Sequence, residues 1–274
     1  MDHDRTPGHA ASKRAFTVAA TLLALLFAGC TTPAATGESW EPWLIELGVE
    51  PLEAPAEPWT ALGWRVGDHW LRETVIEAAT QGVTSVTEER VAAQAASAPG
   101  TSGPAWLVER VTNVTYGSFT SFTDTKEWLD QETGAVVATD QQWAILGTGN
   151  SVHGNATHVY ESPCLRMRFP IDVGSVWTAT CRWRVDQHDT NTSKVVGLYE
   201  NVEVAGYDRI TVPAGTFEAY RLEIDREDDG VAQRVLSWWS PEACGPVMQL
   251  VLSDGDPAVT RLLGGACGAG GWSS

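Results

Sequence analysis

The sequence predicts a mainly β protein: an antiparallel meander that forms a curved sheet or half-barrel, with at most one or two short helices. Apolar and polar residues alternate with period two in several segments, most clearly in "YRLEID" at 220–225, and this alternation is typical of half-buried strands. Clusters of Gly, Pro and Asp separate such segments at short intervals, as expected for hairpins. No segment of the body shows a long helical period.

The composition indicates a folded, acidic protein. Of the 274 residues, 43% are hydrophobic and 19% are charged, so the chain can bury a substantial core. The net charge of −17 argues against a nucleic-acid partner, because a basic surface would be expected for one. We expect a single β-rich domain at residues 61–265, followed by a Gly-rich tail at 266–274.

Residues 1–29 have the features of a secretory signal peptide. Lys13 and Arg14 precede an apolar run at 15–29 that ends in small residues, as at a cleavage site. The run is too short to span about 30 Å of hydrocarbon comfortably as a helix. We therefore expect the protein to be exported.

The residues "LFAGC" at 26–30 resemble the lipobox of prokaryotic lipoproteins, with Phe27 in place of the more usual leucine. The resemblance implies that Cys30 becomes the mature N-terminus, carries lipid, and anchors the protein to the outer face of the cell membrane or envelope. Stable anchoring takes more than one acyl chain. The alternatives are a buried or disulfide-bonded Cys30 behind an ordinary signal peptide, and an uncleaved anchor helix.

The segment after Cys30 is expected to be a flexible tether. Residues 30–60 are rich in Pro and small residues, which disfavour regular structure. We expect at most one short turn of helix there, around residues 42–47.

The four remaining cysteines predict two disulfides. An even number in an exported chain favours pairing, although four cysteines allow three connectivities. Folding the strands around the Pro-Ile-Asp-Val-Gly turn as a hairpin places Cys164 opposite Cys181, and the same construction around Asp-Gly-Asp-Pro places Cys244 opposite Cys267. Opposed residues of this kind can lie about 4.5 Å apart, within disulfide range. No C-x-x-C spacing supports a zinc site instead.

Two segments are less regular. Residues 83–96 fit either a strand or a short helix, and residues 147–163 are polar and Gly-rich, so we expect a long loop there. By contrast, Pro213 presets φ for a turn and Gly215 allows a bulge, which predicts a tight connection into the strand at 216–225.

The passages "VPAGTFEAYR" at 212–221 and "WWSPEACGPVMQ" at 238–249 resemble motifs of uncharacterised exported domains of bacteria and archaea. "WRVGDHW" at 64–70 and "FPIDVGSVW" at 169–177 are similar to strand openings of the same group. The resemblance implies a β-rich domain, similar to the half-barrels of lipoprotein carriers in the bacterial envelope. It implies no catalytic residue, and this chain departs from the group at Cys244.

Metal-binding candidates are few, and we expect no cofactor. Asp225, Glu227 and Asp229 match the start of a calcium loop, but its twelfth position is Leu236 rather than Glu. Asp229 with the following glycine is also a strong hairpin turn, which we favour over calcium.

No catalytic residue is assigned. His153 and His158 lack a recognisable third ligand for a metal. Ser151 lies near His153 but lacks the nucleophile elbow that would expose it.

Three N-x-[S/T] sequons are candidate glycosylation sites in an exported chain. Asn155 and Asn191 are expected in loops, and Asn113 in a strand.

We therefore expect a membrane-anchored, surface-exposed lipoprotein with a non-enzymatic binding or structural role. Its partners would be membrane lipid, through Cys30, and a small-molecule or lipid ligand, apolar or mixed, on the concave face of the sheet. Two alternatives remain: an extracellular hydrolase acting on carbohydrate or peptide, and a sugar-binding module built on exposed Trp, of which the chain has 13. Two inward carboxylates about 5–9.5 Å apart would favour a glycosidase.

Overall fold

The computed structural model describes residues 39–76, 82–99, 103–147, 150–252 and 257–267. Within these ranges the protein has one short helix and thirteen strands. The elements are α1 (Glu41–Glu46), β1 (Glu50–Leu52), β2 (His69–Ile76), β3 (Val83–Ser97), β4 (Pro104–Tyr116), β5 (Phe119–Asp130), β6 (Val136–Gly147), β7 (Asn150–Cys164), β8 (Val176–Gln187), β9 (Thr192–Val212), β10 (Gly215–Asp228), β11 (Val231–Ser240), β12 (Gly245–Leu252) and β13 (Ala258–Ala266).

Strands β2 to β13 form one antiparallel sheet that closes on itself. Each strand pairs with its neighbour in sequence, and β13 returns to pair with β2. The predicted mainly β meander with one short helix is thus confirmed, and the sheet goes beyond a half-barrel because its ends are joined. The β13–β2 pairing links strands far apart in the chain, which no local periodicity reveals.

The registers trace one continuous inner face around the closed sheet, because directly opposed residues lie on the same face. Val91, Val108 and Leu129 lie on this face, and they share a core cluster with Cys181 and Leu198 of distant strands. The inner-face side chains from β3 to β9 therefore belong to one continuous core cluster.

The outer face of β9–β12 is also buried, because the N-terminal segment covers it. Ile210, Phe217 and Trp238 on this face are at most 2% exposed. The ring of Trp40 stacks under the Arg234 guanidinium at 4.2 Å, and Leu44 packs against the same cluster.

The N-terminal segment therefore differs from the expected tether. Helix α1 forms where a short turn was expected, β1 pairs with β9, and Trp59 exchanges two backbone hydrogen bonds with Ile171. Residues 39–60 are part of the folded body, because their Trp and Leu side chains bury apolar area against the sheet. Cys30 and the expected signal peptide at residues 1–29 lie outside the described residues.

The segment between β7 and β8 enters the sheet. Ile171 is fully buried, and it packs with Val202, Leu222 and Val235 of the inner face. Trp59 and Phe169 meet edge to face beside it, with ring centroids 5.2 Å apart. The protein's own side chains thus fill the β8–β11 side of the interior.

Both expected disulfides are present. The Cα–Cα distances are 5.1 Å for Cys164–Cys181 and 6.0 Å for Cys244–Cys267. Each bridge links two consecutive strands: one joins the end of β7 to β8, and the other joins the residue before β12 to the residue after β13.

The strand registers in these two hairpins differ from the predicted ones by two residues. Tyr160 lies opposite Trp183, where the prediction placed Val185. Met248 lies opposite Arg261, again two residues from the predicted partner. A shift of two keeps every side chain on its face, and the predicted cysteine pairings hold despite it.

The expected loop at 147–163 is wrong, because β7 occupies residues 150–164. Its inner positions include Gly154 and Ala156, and its outer positions are polar, so no apolar alternation marks the strand. The ambiguous segment 83–96 lies in strand β3. The predicted turn is confirmed: Gly215 has φ 140° and pairs with Val212.

Among the described residues, no helix has the length and apolar character needed to cross a membrane.

Candidate functional site

Four adjacent strands carry charges of alternating sign on the inner face. Arg72 of β2 contacts the Glu89 carboxylate of β3 through Nη1. Arg110 Nη2 of β4 donates to Glu89 Oε1 at 2.7 Å and lies 3.5 Å from Glu127 Oε2 of β5. We call these four residues the charge ladder.

The charge ladder is largely but not completely buried. The side chains of Arg72, Glu89, Arg110 and Glu127 are 11, 15, 34 and 19% exposed. By contrast, Arg90 pairs with Glu109 on the outer face of β3 and β4, and its side chain is 60% exposed. The ladder is therefore partly exposed to solvent, but in surroundings that strengthen electrostatic interactions.

Burial also perturbs the ladder's first arginine. It lowers the pKa of Arg72 to about 9, and the nearby positive charge of Arg110 contributes to the same shift. Positive charge is thus held in the interior against a desolvation penalty.

A second charged group faces the charge ladder across the interior. Glu200 of β9 has a side chain only 2% exposed, and it accepts hydrogen bonds from Arg166 Nη2 at 3.0 Å and from Arg226 Nε at 2.7 Å. Burial raises the pKa of Glu200, but the two guanidinium groups outweigh it and hold the pKa below its usual value. Burial likewise lowers the pKa of Arg166, and the charges of Glu200 and Glu127 raise it overall.

The inner face of β2–β7 is layered along the strands. On one side of the charge ladder lies a dry core that includes Trp70 and Val91, at 3 and 0% exposed. On the other side lie hydroxyl pairs, Thr87–Thr112 at 3.0 Å and Thr74–Thr260 at 2.8 Å between oxygens. Beyond these, towards the hairpin ends, the inner face is apolar again, at Ile76, Val83, Val114, Ile145 and Val152.

The two ladder carboxylates bear on the hydrolase alternative. Glu89 and Glu127 approach the same Arg110 nitrogen, at 2.7 and 3.5 Å, so their separation lies near that of glycosidase carboxylates. A glycosidase needs one of them protonated as a general acid. Both carboxylates instead pair with the one Arg110 guanidinium, an arrangement that suits the binding of a charged group better than proton transfer.

The calcium-loop candidates occupy a hairpin instead. Asp229 and Gly230 have φ of 49° and 84° and connect β10 to β11 as a two-residue turn. Lys194 Nζ lies 3.1 Å from Asp229, and Arg234 Nε lies 3.7 Å from Asp225. Glu227 is exposed in β10. In the described part of the chain, no three His, Cys, Asp or Glu side chains are grouped closely enough to hold a metal.

The two histidines of β7 point to opposite faces, because they are five residues apart in a regular stretch of the strand. His158 lies on the inner face, where burial lowers its pKa. His153 is exposed on the outer face, as is Ser151. The structure therefore does not bring the two imidazoles together.

The sequon asparagines are all exposed. Asn113 lies in β4 and Asn191 in the turn after β8, as expected. Asn155 lies in strand β7 rather than in a loop.

Tryptophan does not form an exposed platform in the described ranges. Twelve of the 13 tryptophans fall within them, and each is buried or half-buried. Trp272 lies outside. The sugar-binding alternative built on exposed Trp thus finds no support in the described part of the sheet.

The charge ladder was missed at the sequence level, although a signal was present. On each strand the charged residue lies two positions from a core residue, and its sign alternates from strand to strand. The pairs are Trp70 and Arg72, Val91 and Glu89, Val108 and Arg110, and Leu129 and Glu127.

Comparison with known proteins gives only remote similarities. No family model matches the chain, and no curated protein matches it. Two solved structures are similar: a "putative lipoprotein" from Parabacteroides distasonis ATCC 8503, and a "putative exported protein" with a YmcC-like fold from Bacteroides fragilis NCTC 9343. Each has 13% identity and a TM-score of 0.41, over 77% of this chain and 100% of the other. Similarity this remote supports no conclusion about ligand or activity.

Proposed function

We propose that this chain is an exported, lipid-anchored protein that binds a small amphiphilic ligand inside the closed sheet, without performing chemistry on it. The observation that carries the proposal is the charge ladder, whose side chains remain 11–34% exposed on the inner face. The lipobox-like residues at Cys30 support export and anchoring.

The charge ladder is costly for a purely structural element. Buried ion pairs often stabilise a fold less than well-packed apolar residues of similar volume. Arg110, at 34%, is the most exposed member of the ladder, and its planar guanidinium presents several donors to a carboxylate or another anionic group. A ligand's polar group is therefore the natural partner for this side chain.

The layers of the inner face favour an amphiphile over a purely polar or purely apolar ligand. Charges and hydroxyls lie deep, and apolar residues such as Ile76 and Val83 lie nearer the hairpin ends. The apolar half of the interior around Ile171 is already filled by the protein itself. A ligand would thus place its polar end against the charge ladder and its apolar part against the hairpin-end residues.

A titration tests the binding proposal. The chain from residue 31, which carries no lipid, is titrated by calorimetry with dodecanoate and with dodecyltrimethylammonium below their micellar concentrations. We expect dodecanoate to bind, and Arg110→Ala to weaken it about 10- to 100-fold, since a hydrogen bond to a charged group contributes about 1.5–3 kcal/mol.

The matched control is Arg90→Ala, on the outer face of the same sheet. It should leave binding unchanged. Equal affinities for Arg110→Ala and Arg90→Ala, or no binding of either probe, would refute an interior site.

The anchoring proposal has its own test. Intact mass of the membrane-extracted protein should show the loss of residues 1–29 and added acyl chains, and Cys30→Ser should release the protein from the membrane fraction. A Cys30→Ser protein that is processed and partitions as the wild type does would overturn it.

A further inference from the structure

A depression lies on the outer face of the sheet, away from the charge ladder. It has a volume of about 680 Å³ and runs over the outer face of β5, β6 and β7. Phe122, Ala144 and His153 form one cross-strand row in it. Gln142 and Asn155 lie opposite each other in the next row. His188 and Asp189, from the turn after β8, form its wall.

The backbone under this depression is firmly held. A Cβ atom at Gly154 would overlap the Trp143 indole, so that ring packs directly on the strand. The His188 N–H donates to the Asn155 carbonyl at 3.1 Å, and His188 Nε2 lies 2.9 Å from Thr157 Oγ1. The wall and the floor are therefore in place before any ligand arrives, which lowers the entropic cost of binding.

We propose that this depression binds a saccharide. Its polar lining consists of two amides, two imidazoles and one carboxylate, and amides and imidazoles both donate and accept hydrogen bonds, as sugar hydroxyls do. Phe122 is 39% exposed and offers a ring face to the apolar side of a pyranose.

Other ligand classes fit this lining less well. The lining residues, all within the described ranges, include no Lys or Arg, so nothing offers a fixed cation to a phosphate or sulfate. Nor do they form a metal-binding group, as none occurs in the described part of the chain. The depression is open, and it suits a ligand that stays partly hydrated.

The saccharide has two possible sources, and the sequence supplies one of them. Asn155 is the acceptor of the sequon Asn-Ala-Thr, and its exposed side chain lies in the depression. A glycan attached there would lie directly over Phe122 and His153. Neither Asn113 nor Asn191 lines the depression. The alternative source is a free saccharide or a glycan on another molecule.

The first experiment uses full-chain protein extracted in detergent from a host without N-glycosylation. Saturation-transfer NMR is recorded with N,N′-diacetylchitobiose and with maltotriose. We expect saturation transfer to one of them with an affinity near millimolar, and at least a five-fold loss in Phe122→Ala. The matched control is Tyr199→Ala, which removes an exposed outer-face aromatic of β9, 45% exposed and outside the depression.

No transfer to either saccharide at about 10 mM, or equal transfer in Phe122→Ala and Tyr199→Ala, would overturn the proposal. Since Phe122 is 39% exposed, its replacement should leave the fold intact, and a matching thermal melt verifies this.

The second experiment identifies the source. The same protein from an N-glycosylating host is analysed by peptide mass at Asn155 and by the same NMR titration. A glycan at Asn155 that abolishes the saccharide binding measured on the unglycosylated protein assigns the site to the protein's own glycan. An unmodified Asn155 with retained binding assigns it to a free saccharide. Undiminished binding beside a glycan at Asn155 would place the saccharide elsewhere and refute the proposal.

Discussion

Replacing Glu200 by Gln tests whether the inner charges are coupled as the structure indicates. Glu200 is the most buried of them, with a side chain 2% exposed, and it neutralises two guanidinium groups at once. A glutamine of the same shape can still accept one hydrogen bond, but it removes the carboxylate that Arg166 and Arg226 share.

The expected loss in the free energy of unfolding is about 3–5 kcal/mol at pH 7, the range found when one partner of a buried pair is removed. The loss should depend on pH in a defined direction. Because the arginines hold the folded-state pKa of Glu200 below its ordinary 4.5, its stabilisation is fully present above that value. It declines as the pH falls and disappears below the folded-state pKa, where the wild type is also protonated.

Urea unfolding followed by Trp fluorescence, at pH 7 and at stepwise lower pH, measures this difference. The matched control is Glu109→Gln, whose carboxylate is 28% exposed and pairs on the outer face with Arg90; it should lose at most about 1 kcal/mol. A Glu200→Gln loss below 1 kcal/mol, or one that is the same at pH 7 and at pH 3, would refute the reasoning.

Three further predictions test the fold. Replacing Cys164 and Cys181 together by serine should lower the free energy of unfolding by about 3 kcal/mol, because it releases a loop with a sequence separation of 17; denaturation that is unaffected by the change would contradict this. Gly230→Ala should lower the free energy of unfolding, measured by chemical denaturation, by about 1–2 kcal/mol. The cause is backbone strain alone, since φ is +84° and nothing lies within 4 Å of an added Cβ. Trp238→Phe should lose about 1–3 kcal/mol, because it removes the donor to buried Asp208 at 2.9 Å. Trp239→Phe removes a hydrogen bond to the neutral Ser237 hydroxyl and should lower the free energy of unfolding by less than Trp238→Phe does. A larger loss for Trp239→Phe would be evidence against a buried carboxylate at Asp208.

Local patterns in the sequence predicted the strands whose two faces differ. Tyr220, Leu222 and Ile224 are 1, 1 and 8% exposed, as their alternation requires. Strand β7 was missed because its inner residues, such as Gly154 and Ala156, are small, and it therefore shows no apolar period. A strand can be specified by what packs against it, here the Trp143 ring on Gly154, and a single sequence does not show this.

Contacts between distant segments set the other limit on prediction. The pairing of Ala258 with Ile76 closes the sheet, and the packing of α1 on the outer face turns an expected tether into part of the core. The charge ladder was only partly predictable. On each strand the spacing shows that the charged residue shares a face with a core residue, as Arg72 does with Trp70. That these charges meet depends on β2 to β5 being neighbours in the sheet.

The described fold begins only nine positions after Cys30, which bears on the geometry of the proposed lipid anchor. Nine Cα–Cα steps separate Cys30 from Ser39, the first described residue, and at about 3.3–3.6 Å per step they span at most about 32 Å. If Cys30 is embedded among lipid headgroups, the end of the molecule that carries Trp40 must face the membrane at close range. Lipidation would then fix not only where the protein resides but also which side it presents to the surrounding medium.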